Sequence, residues 1–292
     1  YSESLKLTLE KKTNLKNIKI VLDCGNGATY NIAPTIFWEL GCEVHVINDK
    51  PNGVNINKNC GAVNVKNLSK IVVDKKADIG FAFDGDGDRI IAVDDKGNEI
   101  DGDQILALFT KELVKKKQLI NKTVIATKMS NLGFEKYLKN KLNINLIRTD
   151  IGDINVIAEM KKRSCNLGGE QSGHIILGDY CNTGDGILVA LKILEILKKT
   201  NKSAKKIFNN YKPYYQEKNN LVLRNNLKEK EKININKLSE KISKDNSNFR
   251  YLVRESGTEP LIRILVEGQN KSDAKKEIKK ITKKIEKILN EK

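Results

Sequence analysis

The chain has 292 residues, 39% hydrophobic and 31% charged, a length and balance that fit two or three soluble globular domains. No stretch of about 18 apolar residues occurs, so no segment is expected to cross a membrane as a helix. The net charge of +16 is mostly lysine spread along the chain, as in "KKEIKKITKKIEK", and with only 5% aromatic residues it reads as a solvated basic surface rather than a nucleic-acid interface.

The N-terminal stretch "YSESLKLTLEKK" is polar and is not a signal peptide; it does not open with Met, so the native start is expected upstream. "IKIVLDCGNGA" reads as a buried strand ending in a glycine-rich turn, "ATYNIAPTIFWELG" as a helix stopped by Gly41, and "CEVHVIN" as the next strand. This β-α-β unit predicts a parallel sheet. "DIGFAF" continues it, and "RIIAVDDKGNEI" is a strand with a turn over residues 95–98. A second α/β unit begins near Gly102: "DGDQILALFTKELVKKK" is a helix, "TVIATKM" a strand, "NLGFEKYLKNKL" a helix and "INLIRTD" a strand. "GDGILVALKILEILKKT" is a strongly apolar helix led by Thr183 and Asp185. "NKSAKKIFNNYKPYYQEKNN", broken by Pro213, contains a linker and a candidate hinge. The remainder mixes short strands with two helices, and the last helix carries Ala274, Ile278, Ile281, Ile285 and Ile288 on one stripe that is expected to pack on a sheet. The five cysteines form no CxxC pair and only two histidines occur, which excludes a zinc knuckle or disulfide scaffold and fits a reducing cytoplasm.

The most informative stretch is "AFDGDGDRI". Asp84, Asp86 and Asp88 alternate with Gly85 and Gly87, directly after one apolar run and before another. Three carboxylates this close stay ionised together only around a positive charge, and a hard divalent cation with oxygen ligands fits. An EF-hand fails, because Arg89 and Asp95 stand where its glycine and glutamate belong. A solvated acidic turn gains nothing from this position. Mg²⁺ held by three carboxylates keeps places for a phosphate oxygen, so metal-assisted phosphoryl transfer is the expected chemistry.

Two further stretches suit a sugar phosphate. "RESGTEPLIR" offers guanidinium forks from Arg254 and Arg263, hydroxyls from Ser256 and Thr258, and close backbone approach at Gly257. Only seven arginines occur, and two bracket this stretch while a third, Arg89, follows the aspartates. A polar turn between strands is the alternative. In "GGEQSGHII", Glu170, Ser172 and His174 alternate and suit vicinal hydroxyls; a hydrogen-bonded core histidine is the alternative for His174, but it sits among glycines and not on an apolar helix. "DCGNGA" lacks the spacing of a dinucleotide fingerprint.

In this order the three stretches resemble the metal, sugar-binding and phosphate-binding loops of the α-D-phosphohexomutase superfamily. "DCGNGATYNIAP", "GVNINKNCG", "ATKMSNLG", "TGDGI" and the glutamine of "GEQSGH" resemble its phosphoglucosamine mutase branch. The resemblance implies an α/β fold: two consecutive α/β/α sandwich domains over residues 1–99 and 100–208, then a smaller α+β domain over 209–292. It implies interconversion of glucosamine 6-phosphate and glucosamine 1-phosphate by a phosphoserine, through a sugar bisphosphate. Asp84, Asp86 and Asp88 would hold Mg²⁺; Arg89 and His174 would be catalytic; Glu170 and Ser172 would grip the sugar; and Arg254, Ser256, Gly257, Thr258 and Arg263 would hold the second phosphate. The family's Ser-His-Asn type motif does not occur in the 292 residues, so the chain is expected to correspond to domains two to four and to be inactive alone. Ile154-Asn155 and Ala62-Val63-Asn64 also depart from the usual pattern. A non-catalytic sugar-phosphate and Mg²⁺-binding protein, or a phosphomannomutase/phosphoglucomutase, are the alternatives. A cytoplasmic protein with neither nucleic-acid nor membrane partners is expected, and a homodimer is left open.

Overall fold

The computed structural model describes residues 1–290 apart from 12, 224–226, 228, 246–247 and 257–258. The molecule divides into two compact units, residues 1–130 with 134–211, and residues 131–133 with 212–292.

The first unit opens with a short helix α1 (Ser2–Leu7), then β1 (Lys19–Asp23), α2 (Thr29–Glu39), β2 (Glu43–Ile47), α3 (Lys66–Asp74), β3 (Ile79–Phe83), β4 (Ile90–Asp94) and β5 (Glu99–Ile100). These strands form one sheet in the order β2-β1-β3-β4-β5. β1, β2 and β3 are parallel, as the β-α-β pattern predicts. β4 is antiparallel to β3 and β5 to β4, which makes the sheet mixed. The reason is loop length: residues 84–89 are too few for a crossover, so the chain must turn back on itself. β3 and β4 are buried along their whole length, which explains their unbroken apolar runs.

The chain continues with α4 (Gly102–Lys115), β6 (Thr123–Thr127), α5 (Leu132–Tyr137), β7 (Asn145–Thr149), α6 (Asp153–Arg163), β8 (Leu167–Gly169), β9 (Ile175–Leu177), α7 (Gly186–Thr200) and α8 (Ala204–Phe208). The second sheet runs β7-β6-β8-β9, with β9 antiparallel to β8. α4 starts with a capping box in which Asp101 accepts from the Gln104 N–H and Gln104 reaches back to Asp101. α7 is capped by Asp185, whose Oδ1 accepts from the Leu188 N–H at 3.0 Å, and it is buried from Gly186 through Leu197. One continuous hydrophobic core joins the two sheets, with Phe81, Phe83 and Ile90 from the first and Val124 and Leu167 from the second meeting α4 and α7.

Two charged residues of α7, Lys192 and Glu195, are buried. Lys192 Nζ lies 2.9 Å from Glu195 Oε2 and donates to the Thr8 carbonyl at 2.6 Å, while Glu195 Oε1 accepts from the Glu10 N–H at 2.7 Å. This buried pair ties down the segment after α1, which has few apolar side chains to anchor it.

The second unit contains β10 (Tyr215–Val222), α9 (Glu229–Asp245), β11 (Phe249–Glu255), β12 (Leu261–Gly268) and α10 (Lys271–Asn290). Its sheet is antiparallel in the order β10-β12-β11. Ile278, Ile281 and Ile285 of α10 pack with Ile262, Ile264 and Val266 of β12, so the C-terminal stripe is core. On the other face of β12, buried Glu267 pairs with Arg250 at 2.6 Å and accepts from Gln216 at 2.7 Å.

Candidate active site

β3 delivers Asp84 to the end of the first sheet, and the chain turns through residues 84–89 into β4. The Gly87 N–H donates to the Asp84 carbonyl at 3.2 Å, and the Arg89 N–H donates to Asp84 Oδ1 at 3.1 Å. The turn gathers one oxygen from each of Asp84, Asp86 and Asp88 within 4.8 Å of one another. Asp84 is buried, Asp88 is half-buried and Asp86 is exposed, so the cluster runs from the protein floor to solvent. Burial, then the charges of Asp88 and Asp86, push the Asp84 carboxyl up to about 6, against the Arg89 N–H and guanidinium. Arg89 Nε stands 3.7 Å from Asp84 Oδ2 and 3.8 Å from Asp88 Oδ1, with nearly half of its side chain exposed. Asp88 Oδ1 is buried with no hydrogen-bond partner. Crowded hard oxygens, one of them orphaned and one reluctant to ionise alone, fit a divalent cation such as Mg²⁺.

The sequence explains why the turn holds this shape. Buried Asp23, at the end of β1, accepts from the Gly25 and Gly61 N–H groups, both at 3.0 Å. This brings the "DCGNGA" and "NCG" turns together beneath the metal loop. The Ala28 N–H donates to the Gly85 carbonyl at 2.8 Å, and a Cβ on Gly27 would collide with that same carbonyl. The "TGDGI" segment closes another side. Gly186 N–H donates to the Gly87 carbonyl at 2.9 Å, and a Cβ on Gly184 would lie 2.6 Å from the Asp88 carbonyl oxygen. Sequence reading placed these glycines in a turn and a helix lead; their part in supporting the loop depends on approaches between segments far apart in the chain.

The "GEQSGH" loop joins the same assembly. The Ile90 N–H donates to the Gly173 carbonyl at 3.0 Å, and Arg89 and His174 form an antiparallel bridge. Gly173 adopts a φ of 97°, which closes the tight turn from Glu170. Glu170 is mostly buried, with Oε1 accepting from the Gly152 N–H at 3.0 Å, whereas Ser172 is exposed. Gln171 donates its Nε2 to the α4 cap Asp101 at 3.2 Å, and its carbonyl accepts from the Gly102 N–H at 3.0 Å. His174 is only 1% exposed. Its Nδ1 lies 3.0 Å from Asp88 Oδ2, and its Nε2 accepts from the Gly184 N–H at 3.1 Å. Glu170, Ser172 and His174 therefore do not share one open face.

In the second unit, Arg254 of β11 and Arg263 of β12 are direct cross-strand partners. Two cations side by side are an unfavourable pair in the absence of an anion. Burial, then the Arg263 charge, holds the Arg254 guanidinium below its usual range. Arg263 Nη2 meets Glu259 at 2.8 Å, and its Nε is buried without a partner. Ser256 is buried with its N–H donating to the Leu261 carbonyl at 2.9 Å. Gly257 and Thr258, expected to join this loop, lie outside the described residues. The other arginines with described side chains serve structure: Arg148 pairs with Glu135 at 2.9 Å, Arg163 with Glu159, and Arg250 with Glu267.

Comparison with known proteins agrees over nearly the whole chain. Residues 1–97 match the family model "Phosphoglucomutase/phosphomannomutase, alpha/beta/alpha domain II", residues 101–214 match its domain III, and residues 215–289 match its C-terminal domain. The phosphoglucosamine mutase of Thermodesulfovibrio yellowstonii is 50% identical over 92% of this chain and 60% of its own length. That of Fusobacterium nucleatum is 46% identical over 97% of this chain and 63% of its own. The chain thus spans about three fifths of the curated relatives it matches. Among solved structures, a phosphoglucomutase/phosphomannomutase family protein from Burkholderia thailandensis superimposes with a TM-score of 0.78 at 22% identity, covering 98% of this chain and 64% of that one. Aspergillus fumigatus N-acetylphosphoglucosamine mutase, solved with GlcNAc-6P and magnesium, gives 0.74 at 18% identity, covering 99% and 64%. These two likenesses speak to the fold, and the domain matches with the 40–50% identities speak to ancestry. With three consecutive domain models matched in order and phosphoglucosamine mutases as its relatives, the chain belongs to the phosphoglucomutase/phosphomannomutase family.

Proposed function

We propose that these residues are the metal-, sugar- and phosphate-binding part of a phosphoglucosamine mutase, which interconverts glucosamine 6-phosphate and glucosamine 1-phosphate through a sugar bisphosphate. The observation that carries this reading is the gathering of three carboxylates within 4.8 Å, with Arg89 beside them. Asp84, Asp86 and Asp88 would hold Mg²⁺, which when bound neutralises charge on a phosphoryl oxygen. Arg89 has a partly exposed guanidinium on the solvent side of this cluster and would stabilise the phosphoryl group in transfer. Ser172, exposed, and Glu170, its carboxylate fixed by Gly152, would select the sugar hydroxyls. Arg254 and Arg263, with Ser256, Gly257 and Thr258, would hold the phosphate that is not reacting, relieving the repulsion between the two cations. The phosphoryl donor would be a phosphoserine, as the reading of the chain as part of a mutase requires. Five free thiols, four of them buried, support a reducing cytoplasmic setting.

The test is a calorimetric titration of Mg²⁺ and glucosamine 6-phosphate into the chain. The expected result is Mg²⁺ binding that weakens at least about tenfold in Asp86→Asn with the fold intact, since one exposed ligand is lost along with some repulsion. Mannose and glucose 6-phosphates are expected to bind more weakly. Unchanged Mg²⁺ affinity in Asp86→Asn would remove the metal assignment.

A further inference from the structure

The geometry points to a second binding site, for a small primary amine carried on an apolar body, in a cavity of about 400 Å³ formed by α4, α7 and the segment around β9. Phe109 and Leu113 of α4, Leu177 of β9 and Ile196 of α7 make its apolar wall, and Tyr180, half exposed, adds an aromatic ring. That volume and that lining suit a small molecule. The cavity is separate from the site described above. Asn166, in its wall, directly precedes β8, and Glu170 of the sugar loop directly follows that strand, about 13 Å away along an extended chain. None of the residues assigned to metal, sugar or phosphate lines it.

The charges around the cavity decide what it holds. Both of its lysines are already paired. Lys192 Nζ is spent on Glu195, on the Thr8 carbonyl and on the Tyr180 ring, 4.5 Å from the ring centroid. Lys116 Nζ lies 2.8 Å from Glu10 Oε1. Glu195 is spent in turn on Lys192 and on the Glu10 N–H. What is left is acidic. Glu112 has no side-chain partner among the described residues, and Asp179 uses only Oδ2, which accepts from Asn166 at 2.8 Å, so Oδ1 is open. In a chain of net charge +16, an apolar cavity edged by two unspent carboxylates is an exception, and it selects a cation. An ammonium brings donors to those oxygens while its apolar body covers Phe109, Leu113 and Ile196. An anion would meet the same two carboxylates and no unpaired lysine of the wall.

The probe is phenethylamine, titrated into the chain and followed in ¹H–¹⁵N spectra. Phenethyl alcohol and phenylacetate present the same body without charge and with the opposite charge. Saturable shifts at Leu113, Tyr180 and Ile196 are expected with the amine, binding at least about tenfold weaker with the alcohol, and no saturation with phenylacetate. The double variant Glu112→Gln, Asp179→Asn is expected to weaken the amine about 10–100-fold and to leave the alcohol unchanged. Leu113→Trp, which fills the cavity, is expected to abolish binding of both. Asp86→Asn is expected to change nothing, which separates this site from the acidic metal loop. Equal binding of amine and alcohol, or full amine affinity in the double variant, would overturn the choice of a cation. No saturable binding, unchanged binding in Leu113→Trp, or loss in Asp86→Asn would overturn the site itself. Should Leu113→Trp fail to fold, the double variant decides, because both of its side chains reach solvent.

Discussion

Asp84 is where the electrostatic cost of the site is concentrated. Its carboxyl is pushed up from 3.8 to about 6, so the folded protein takes up a proton there that the unfolded chain releases. The resulting destabilisation is fully present above pH 6 and fades as pH falls toward 4. Without metal, Asp84→Asn is therefore expected to raise the melting temperature at pH 8 and to change it little near pH 4.5; equal gains at both would contradict the assignment. Added Mg²⁺ is expected to raise the wild-type melting temperature at pH 8 by binding the native state alone. At the phosphate loop, Arg254→Ala is expected to leave stability nearly unchanged, because it relieves a like-charge pair, while weakening sugar-phosphate binding by about 10–100-fold through loss of a charge-assisted hydrogen bond. Equilibrium denaturation and calorimetry read the two effects separately. The aspartates were legible in the sequence because like charges packed between apolar strands have few other uses. The partners of His174 were not, because Asp88 lies 86 residues away from it and the Gly184 N–H is a backbone group that no side-chain pattern reports.

At the scale of elements, supports beneath the loops matter as much as ligands. Gly27→Ala places a methyl group against the Gly85 carbonyl, and the expected cost is about 1–3 kcal/mol of stability together with weaker Mg²⁺ binding. Unchanged stability and affinity would show that the "DCGNGA" turn does not hold the loop. Inside α7, Lys192→Met strands Glu195 in the core, and a loss of about 3–5 kcal/mol in denaturant unfolding is expected. The strands and helices with long periodic or unbroken apolar patterns, β1, β3, β4, α4, α7 and α10, could be read directly. β8 and β9, each three residues long, carry too little pattern to register, and the antiparallel return of β4 follows from a short loop rather than from strand composition. The reading also passed over α3 and α6, which each bury only two side chains.

For the whole molecule, the two sheets of the first unit share one core, so residues 1–211 are expected to melt as one cooperative body. A piece ending at residue 99 would expose Phe83 and Ile90 where α7 belongs, and circular dichroism is expected to show it unfolded or aggregated. The net charge of +16 told nothing about the site; its recognition came from three loops in a fixed order, two of which the fold joins around Arg89 and His174. In the proposed function those loops bind and orient, and a phosphoserine donates the phosphoryl group. The most direct test is a coupled assay for glucosamine 1-phosphate with Mg²⁺ and a sugar bisphosphate primer, run with this chain alone and then with the first domain of a phosphoglucosamine mutase relative added in trans. The account predicts no product from the chain alone and turnover once that domain is supplied. Turnover of about 1–10³ s⁻¹ from the chain alone, or none with the domain present while the sugar phosphate still binds, would contradict it.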